Sequence, residues 1–331
     1  MADWHYCVPP DLLVRIRAPK RPALLSRVLG EEAPAGEPSL VLDLASRTPA
    51  TAGVLSIDRT AGSRTVRGVR KMVPWSCTIS SVAEGPLAIE FHSPVLREYL
   101  AFHIALLPAL RRLLLHRNVA LIPGAAFERN GEVTVLAGMT GGGKTSLLLG
   151  ALERGAQLVG DEYIALSETG DVTPVVRVLA LRRGTLGLAP KVAGRLSASR
   201  HVALRAAEIA SAVTRGRLDP LSHVSPAELR LPAERAGGAV RRLFWLEPDG
   251  GAALEPMTAR SAMQQLSMMQ AVHDLAFGDI GPFLDPESCA GVDQEARWRS
   301  VIERGLQDAT CYRLSVRRGG LAEALERMLA A

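Results

Sequence analysis

The sequence predicts an α/β fold preceded by a β-rich N-terminal region, and three observations carry that expectation. A Gly-rich stretch at residues 138–145 joins an apolar run of strand length to a run that reads as a helix. Between about Val119 and Arg177, further strand-length apolar segments are separated by turns containing Gly, Asn and Asp. Residues 1–95 carry short apolar runs between Gly, Pro and Ser turns, with little helical periodicity.

The stretch Gly138-Met139-Thr140-Gly141-Gly142-Gly143-Lys144-Thr145 satisfies the pattern G-x-x-x-x-G-K-[ST] at every fixed position. Glu132-Val133-Thr134-Val135-Leu136-Ala137 before it reads as a short buried strand. Ser146 to Arg154 after it reads as a helix, ended by Gly155. Glycines let successive backbone N–H groups turn inward, and a new helix adds its free N–H groups and positive dipole end. Such a loop cradles phosphates. Gly138 to Ser146 would bind the nucleotide, Lys144 would reach its β- and γ-phosphates, and the Thr145 hydroxyl would help hold Mg²⁺. A ligand-free glycine turn is the plainer alternative. The lysine favours the phosphate loop, because only Lys20, Lys71, Lys144 and Lys191 occur among 39 basic residues. A compact ammonium suits this cradle where a planar guanidinium does not.

Earlier segments are simpler. Ser39 to Leu44 and Pro86 to Phe91 read as strands, and Arg64 to Arg70 alternates with period two. Residues 1–95 are expected to form an accessory or substrate-docking region, and 96–117 a helical connector. That helix should start near Ser93 as cap, with Pro94 just inside, and kink at Pro108. Residues 118–331 form the expected catalytic domain. Within it Val119–Ile122 reads as a strand, Pro123-Gly124 as a turn, and Asn130-Gly131 as a hairpin. Tyr163–Leu166 and Val172–Val176 read as a second hairpin, Val240–Leu246 as another strand, and the tail from Thr258 as mainly helical.

Composition sets the class. The chain has 331 residues, 47% hydrophobic and 22% charged, as expected of a soluble globular protein with a sizeable core. A net charge of +5 without basic runs suits acidic ligands. Aromatics make up only 4% and are not interleaved with basic residues, so nucleic acid is not an expected partner. Tyr99 to Leu115 is interrupted by His103, Pro108, Arg111 and Arg112, so no membrane span is expected. The N-terminus lacks the apolar stretch of a signal peptide, which makes the cytoplasm the expected compartment. Cys7, Cys77, Cys289 and Cys311 show no metal-binding spacing.

Asp161 and Glu162 stand at the end of the strand predicted after the loop's helix. An acid there can ligate Mg²⁺ or take a proton from an attacking hydroxyl. A surface turn or helix cap would also use such residues.

The segment Leu136 to Ser146, followed by Arg154-Gly155-Ala156-Gln157-Leu158-Val159-Gly160-Asp161-Glu162-Tyr163, resembles the HPr kinase/phosphorylase catalytic domain. More closely, it is similar to the HPr-kinase-like proteins found beside peptide-modification systems. The resemblance runs from about Leu115 to Val176, with weaker echoes at Val240–Leu246 and Cys311–Leu314. It implies a P-loop kinase core related to phosphoenolpyruvate carboxykinases. It also implies ATP as nucleotide, a protein or peptide serine as acceptor, and a homo-oligomer, since such proteins often form one. By the same resemblance Lys144 matches the phosphate-binding lysine and Thr145 the metal-ligating hydroxyl. Asp161 matches the catalytic base and a metal contact, and Glu162 a second metal contact. Arg183, in Arg182-Arg183-Gly184-Thr185, falls where the family places a basic loop near the substrate phosphate. The chain departs from the pattern at Pro123, which stands where a histidine is expected, so the reverse phosphorylase reaction is not expected. His116 is a poor substitute. Two alternatives stay open: a catalytically impaired nucleotide- or peptide-binding protein assisting peptide maturation, and a small-molecule kinase.

Overall fold

The computed structural model describes residues 2–9, 11–30, 32–44, 56–60, 63–70, 73–81, 86–213, 222–232, 237–248, 253–277, 280, 284, 291–317 and 319–331. The chain is a mixed α/β protein that divides into two compact units. The first comprises Met1–Asn118 and Ala271–Trp298, the second Val119–Gln270 and Arg299–Ala331.

In the first unit the elements are β1 (Ala2–Val8), β2 (Leu12–Ala18), α1 (Ala23–Leu29), β3 (Leu40–Asp43), β4 (Ser56–Thr60), β5 (Ser63–Arg70), β6 (Val73–Ser81), β7 (Leu87–His92), α2 (Arg97–Ala101) and α3 (Leu107–Leu115). Among the described residues seven strands form one mixed sheet, in the order β1-β2-β3-β7-β6-β5-β4. Period-two patterning explains its buried face. Leu12, Val14, Ile16 and Ala18 of β2 are buried while the residues between them are half-buried. The Glu98 carboxylate accepts the backbone N–H groups of Leu24 (2.6 Å) and Leu25 (3.3 Å), satisfying the open N-terminus of α1.

The helix expected to start at Ser93 starts at Arg97 instead. Its hydroxyl donates to the carbonyls of Val95 (2.8 Å) and Pro74 (3.1 Å), so it ties the loop down rather than capping a helix. At Pro108 the helical run is divided, as a proline there requires. A π-helical turn, Phe102–Leu106, precedes it, and the Leu107 N–H reaches back to the Phe102 carbonyl. Pro108 follows at the start of α3, so the irregular turn falls where a residue without an N–H donor interrupts the hydrogen-bond ladder.

The second unit contains β8 (Val119–Arg129), β9 (Glu132–Gly138), α4 (Lys144–Glu153), β10 (Gln157–Gly160), β11 (Tyr163–Ser167), β12 (Asp171–Pro174), β13 (Leu179–Leu181), α5 (Pro190–Ala193), α6 (Ala198–Val213), β14 (Ser222–Val224), β15 (Gly238–Pro248) and β16 (Leu254–Met257). Then come α7 (Ala259–Phe277) and α8 (Gly291–Gly305), each with its chain shared between the units, and β17 (Thr310–Val316) and α9 (Leu321–Ala330). β15 lies between β9 and β17 and runs parallel to both. β9 pairs antiparallel with β8 through the hairpin at Asn130-Gly131, whose positive φ angles (56° and 83°) suit those two residue types.

Pro123-Gly124 is not a turn. Both residues lie inside β8, which is buried along nearly its whole length. Val119–Pro123 pairs with β11, and Gly124–Arg129 pairs with β9, with β10 joining from Ala126 to Glu128. The dipeptide marks where the strand changes partners, a place that tolerates a residue without an N–H donor.

α4 is buried from Ser146 to Leu152, so it sits inside the core rather than on it. Leu147, Leu148, Leu149 and Leu152 share one apolar cluster with Leu179 and Leu181 of β13, Val224 of β14, Phe244 and Leu246 of β15, and Leu325 of α9. Each such leucine contributes about 1.5–3 kcal/mol relative to exposure. Arg154 closes the helix and Gly155 follows at φ 90°, the conformation a residue without Cβ takes most readily. Among the described residues no helix is long and apolar enough to cross a membrane. Cys77 and Cys311 are buried and Cys7 is exposed; Cys289 lies outside the described residues.

Candidate functional site

β9 ends at Gly138, whose φ of 143° is open chiefly to glycine. Beyond it the chain folds back on itself, with the Gly142 N–H donating to the Met139 carbonyl at 3.0 Å. Gly143, at φ 94°, leads into α4 with no side chain capping the helix. The Lys144 ammonium turns back across the loop and donates to the carbonyls of Gly138 (2.6 Å) and Met139 (3.2 Å). Burial strips water from this ammonium and lowers its pKa to about 8, against the opposing pull of the Asp161 and Glu162 charges.

Thr145, next on the helix, directs its hydroxyl to the Asp161 carboxylate, at 3.2 Å from Oδ1 and 3.3 Å from Oδ2. Asp161 is only 2% exposed, and its Oδ2 also accepts the Ala180 N–H at 3.3 Å. Burial raises its pKa to about 7, and the neighbouring Glu162 charge adds to the rise. The two backbone hydrogen bonds, from Glu162 and Ala180, and the Lys144 charge act the other way.

Asp161, Glu162 and Tyr163 make a tight three-residue turn, in which the Tyr163 N–H donates to the Asp161 carbonyl at 2.8 Å. Glu162 takes φ 64°, an uncommon conformation for a residue with a long side chain. Its carbonyl accepts the Gly124 N–H at 3.0 Å, which ties the turn to β8. The turn sends the two acids to different partners. Asp161 faces Thr145 and Ala180, and the Glu162 carboxylate lies 3.7 Å from the Nε2 of His223.

His223 is the residue that sequence reasoning missed. It sits on β14, directly opposite Ala180 of β13 in their antiparallel pair. The signal in the chain is slight: one histidine in a short segment before the capping box of Ser225 and Glu228. Pro123 pairs with Tyr163, immediately after the acids. His116 ends α3, in the other unit.

Lys144, Thr145, Asp161 and Glu162 are thus brought together in the second unit by the glycine loop and the acidic turn. Arg183 is exposed and pairs with Glu208 of α6 at 3.0 Å. With Arg182, Thr185 and Ser211 the pair lines a cavity of about 390 Å³. Among the described residues no group of three or more His, Cys, Asp or Glu side chains could hold a metal unaided. The donors near the loop are the Thr145 hydroxyl and the two carboxylates, all oxygen. They suit a hard cation such as Mg²⁺, which is commonly held by one or two carboxylates and completed by phosphate oxygens and water. Comparison with models of known protein families and with curated proteins yields no match to this chain.

Proposed function

We propose that the second unit is an ATP- and Mg²⁺-dependent phosphotransferase domain with a P-loop kinase core of the HPr kinase/phosphoenolpyruvate carboxykinase type. Its acceptor is a hydroxyl, in the first instance a serine of a protein or peptide. The observation that carries this reading is the buried contact between Thr145 and Asp161, beside the Lys144 ammonium. A glycine turn without a ligand has no use for a fully buried carboxylate facing the hydroxyl that follows its lysine.

The roles follow from the chemistry of each group. The amides from Gly138 to Ser146 cradle the phosphate chain. Lys144 exchanges its two carbonyl contacts for phosphate oxygens, which also removes the cost of a poorly hydrated ammonium. Thr145, Asp161 and Glu162 would hold the metal ion, with Glu162 reaching it through water. When bound, Mg²⁺ neutralises charge on the phosphate oxygens as the γ-phosphoryl moves. The acceptor oxygen forms its bond to the γ-phosphorus as the bond to the bridging oxygen breaks, ADP leaves, and the hydroxyl proton passes to Asp161. Its burial beside the Thr145 hydroxyl places that carboxylate at the loop, where the base role requires it. Arg183, at the cavity beyond β13, supplies a cation to the acceptor side.

The test is a calorimetric titration of Mg·ATP into wild type and Lys144→Ala, followed by Asp161→Asn with labelled ATP. Binding in wild type that is lost in Lys144→Ala, with transfer lost but ATP retained in Asp161→Asn, supports the assignment. A second reading, a nucleotide-binding protein without transfer, is favoured by Pro123, which offers no titratable group beside the acids. It predicts that wild type binds Mg·ATP and labels no acceptor.

A further inference from the structure

We infer that His223 is a positioning residue for Glu162, fixing that carboxylate so that it can serve the Mg·nucleotide; this rests on the phosphotransferase reading above. The inference begins with a problem that the acidic turn poses. Three backbone constraints fix Glu162: its φ of 64°, the Tyr163-to-Asp161 hydrogen bond and the Gly124-to-Glu162 hydrogen bond. None of them restrains its side chain, which has three free torsions and loses entropy when held in one pose. Of the two acids, Asp161 is locked by Thr145 and Ala180, and the Glu162 carboxylate lies 3.7 Å from the His223 imidazole.

The contact is built rather than accidental. Both side chains are largely buried, at 16% exposure for His223 and 18% for Glu162. His223 and Ala180 are register partners in the β13–β14 ribbon, so one pair of opposed residues touches both acids. Ala180 gives its N–H to Asp161 at 3.3 Å and His223 brings Nε2 to within 3.7 Å of Glu162. The ribbon itself is anchored. Leu179, Leu181 and Val224 are buried in the cluster that holds Leu147, Leu148 and Leu149 of α4. The helix that carries Lys144 and Thr145 and the ribbon that carries Ala180 and His223 therefore share one rigid base, and the acidic turn is held between them. At 3.7 Å the imidazole Nε2 stands just beyond hydrogen-bond reach of the carboxylate, and hydrogen bonds in unloaded sites are often long and tighten when the ligand binds.

Partners that orient a metal-binding carboxylate typically contribute about 10- to 100-fold to metal affinity. Five proteins test the inference: wild type, His223→Ala, His223→Gln, Glu162→Gln and the double variant His223→Ala/Glu162→Gln. Each is loaded with a non-hydrolysable ATP analogue and titrated with Mg²⁺ by calorimetry, and the analogue's affinity is also measured in chelator without metal. His223→Ala should weaken Mg²⁺ binding by about tenfold and leave metal-free analogue binding unchanged. His223→Gln should recover most of the loss, because its amide nitrogen can take the place of Nε2 as a donor. In kinetics, His223→Ala should raise the Mg²⁺ requirement more than it lowers kcat at saturating metal. The double variant His223→Ala/Glu162→Gln should be no worse than Glu162→Gln alone, since one residue acts through the other. Unchanged Mg²⁺ affinity in His223→Ala, or losses from the two sites that simply add, overturns the inference and leaves the phosphotransferase intact. If His223→Ala does not fold, a His223→Gln variant that behaves like wild type beside a weakened Glu162→Gln supports it. A His223→Gln variant that loses metal-free analogue binding overturns it. Wild type that binds no Mg·ATP overturns both readings together.

Discussion

The Thr145 hydroxyl faces both oxygens of the buried Asp161 carboxylate, at 3.2 and 3.3 Å, joining the first turn of α4 to the end of the next strand. A hydroxyl in that place can serve the carboxylate or a metal ion, and the proposed transfer would use both. Thr145→Ser keeps the oxygen and should retain activity within a few-fold. Thr145→Val keeps the shape and removes the oxygen, and should weaken Mg²⁺ affinity by about tenfold or more. Its effect on stability should be about 1 kcal/mol, the worth of one hydrogen bond. Full activity in Thr145→Val would remove the hydroxyl from the mechanism.

Lys144 answers a different question, whether the loop needs a lysine or merely a cation. Its ammonium contacts two carbonyls, those of Gly138 and Met139, inside a tight turn. A guanidinium is larger and presents its donors in a plane, so it cannot take the same position without opening the loop. Lys144→Arg should therefore lose Mg·ATP binding as completely as Lys144→Ala does in calorimetry. Near-normal affinity in Lys144→Arg would mean that charge alone suffices.

These two residues were legible in the sequence because their geometry is local. Gly138, Gly143, Lys144 and Thr145 lie close together in the chain, and a strand-to-helix turn fixes their relation whatever surrounds it. Asn130-Gly131 and Gly155 were legible for the same reason, as turn and helix-end residues with positive φ. His223 was not, because its meeting with Glu162 depends on β14 pairing with β13, which no nearby residue announces. Pro123-Gly124 misled in the opposite sense. The dipeptide has the local signature of a turn, but β8 runs on through it because two different neighbours take up its two halves. Ser93 looked like a helix cap and spends its hydroxyl on two carbonyls instead.

Asp161 makes stability depend on pH with a definite sign. Its pKa is raised from an ordinary 3.8 to about 7, so the native protein holds a proton that the unfolded chain releases in that interval. The contribution is fully present below 3.8 and is lost as pH rises through about 7. Ligand-free protein should thus melt at lower temperature at pH 7.5 than at pH 5.5, being less stable by about 2 kcal/mol from this group alone. Asp161→Asn carries no proton to lose and should flatten the slope, melting above wild type at pH 7.5 while failing to transfer phosphate. An unaltered slope in Asp161→Asn would place the pH dependence elsewhere.

Arg183 and Glu208 form an exposed pair, at 53% and 55% side-chain exposure, so their attraction is screened and worth about 0–1 kcal/mol. Arg183→Ala should leave both the melting temperature and Mg·ATP affinity close to wild type. Its effect should appear only once an acceptor is present, as a raised KM for that acceptor with kcat little changed. A loss of nucleotide affinity in Arg183→Ala would move this arginine from the acceptor side to the nucleotide.

Two glycines with positive φ separate backbone conformation from close packing. Gly131 (φ 83°) has nothing within 4 Å of where a Cβ would stand, so Gly131→Ala incurs only the conformational penalty, about 1 kcal/mol. At Gly138 (φ 143°) a Cβ would lie 2.7 Å from the backbone oxygen of Leu246, its register partner on β15. Backbone cannot rotate aside as a side chain does, so β9 and β15 must part. Gly138→Ala should cost about 2 kcal/mol or more in denaturant melts. It should also weaken Mg·ATP binding, because the loop that starts at Gly138 and carries the phosphate-facing amides moves with the strand. Equal costs at the two positions would show that the sheet yields at Gly138, and the loop's geometry would then owe nothing to its contact with Leu246.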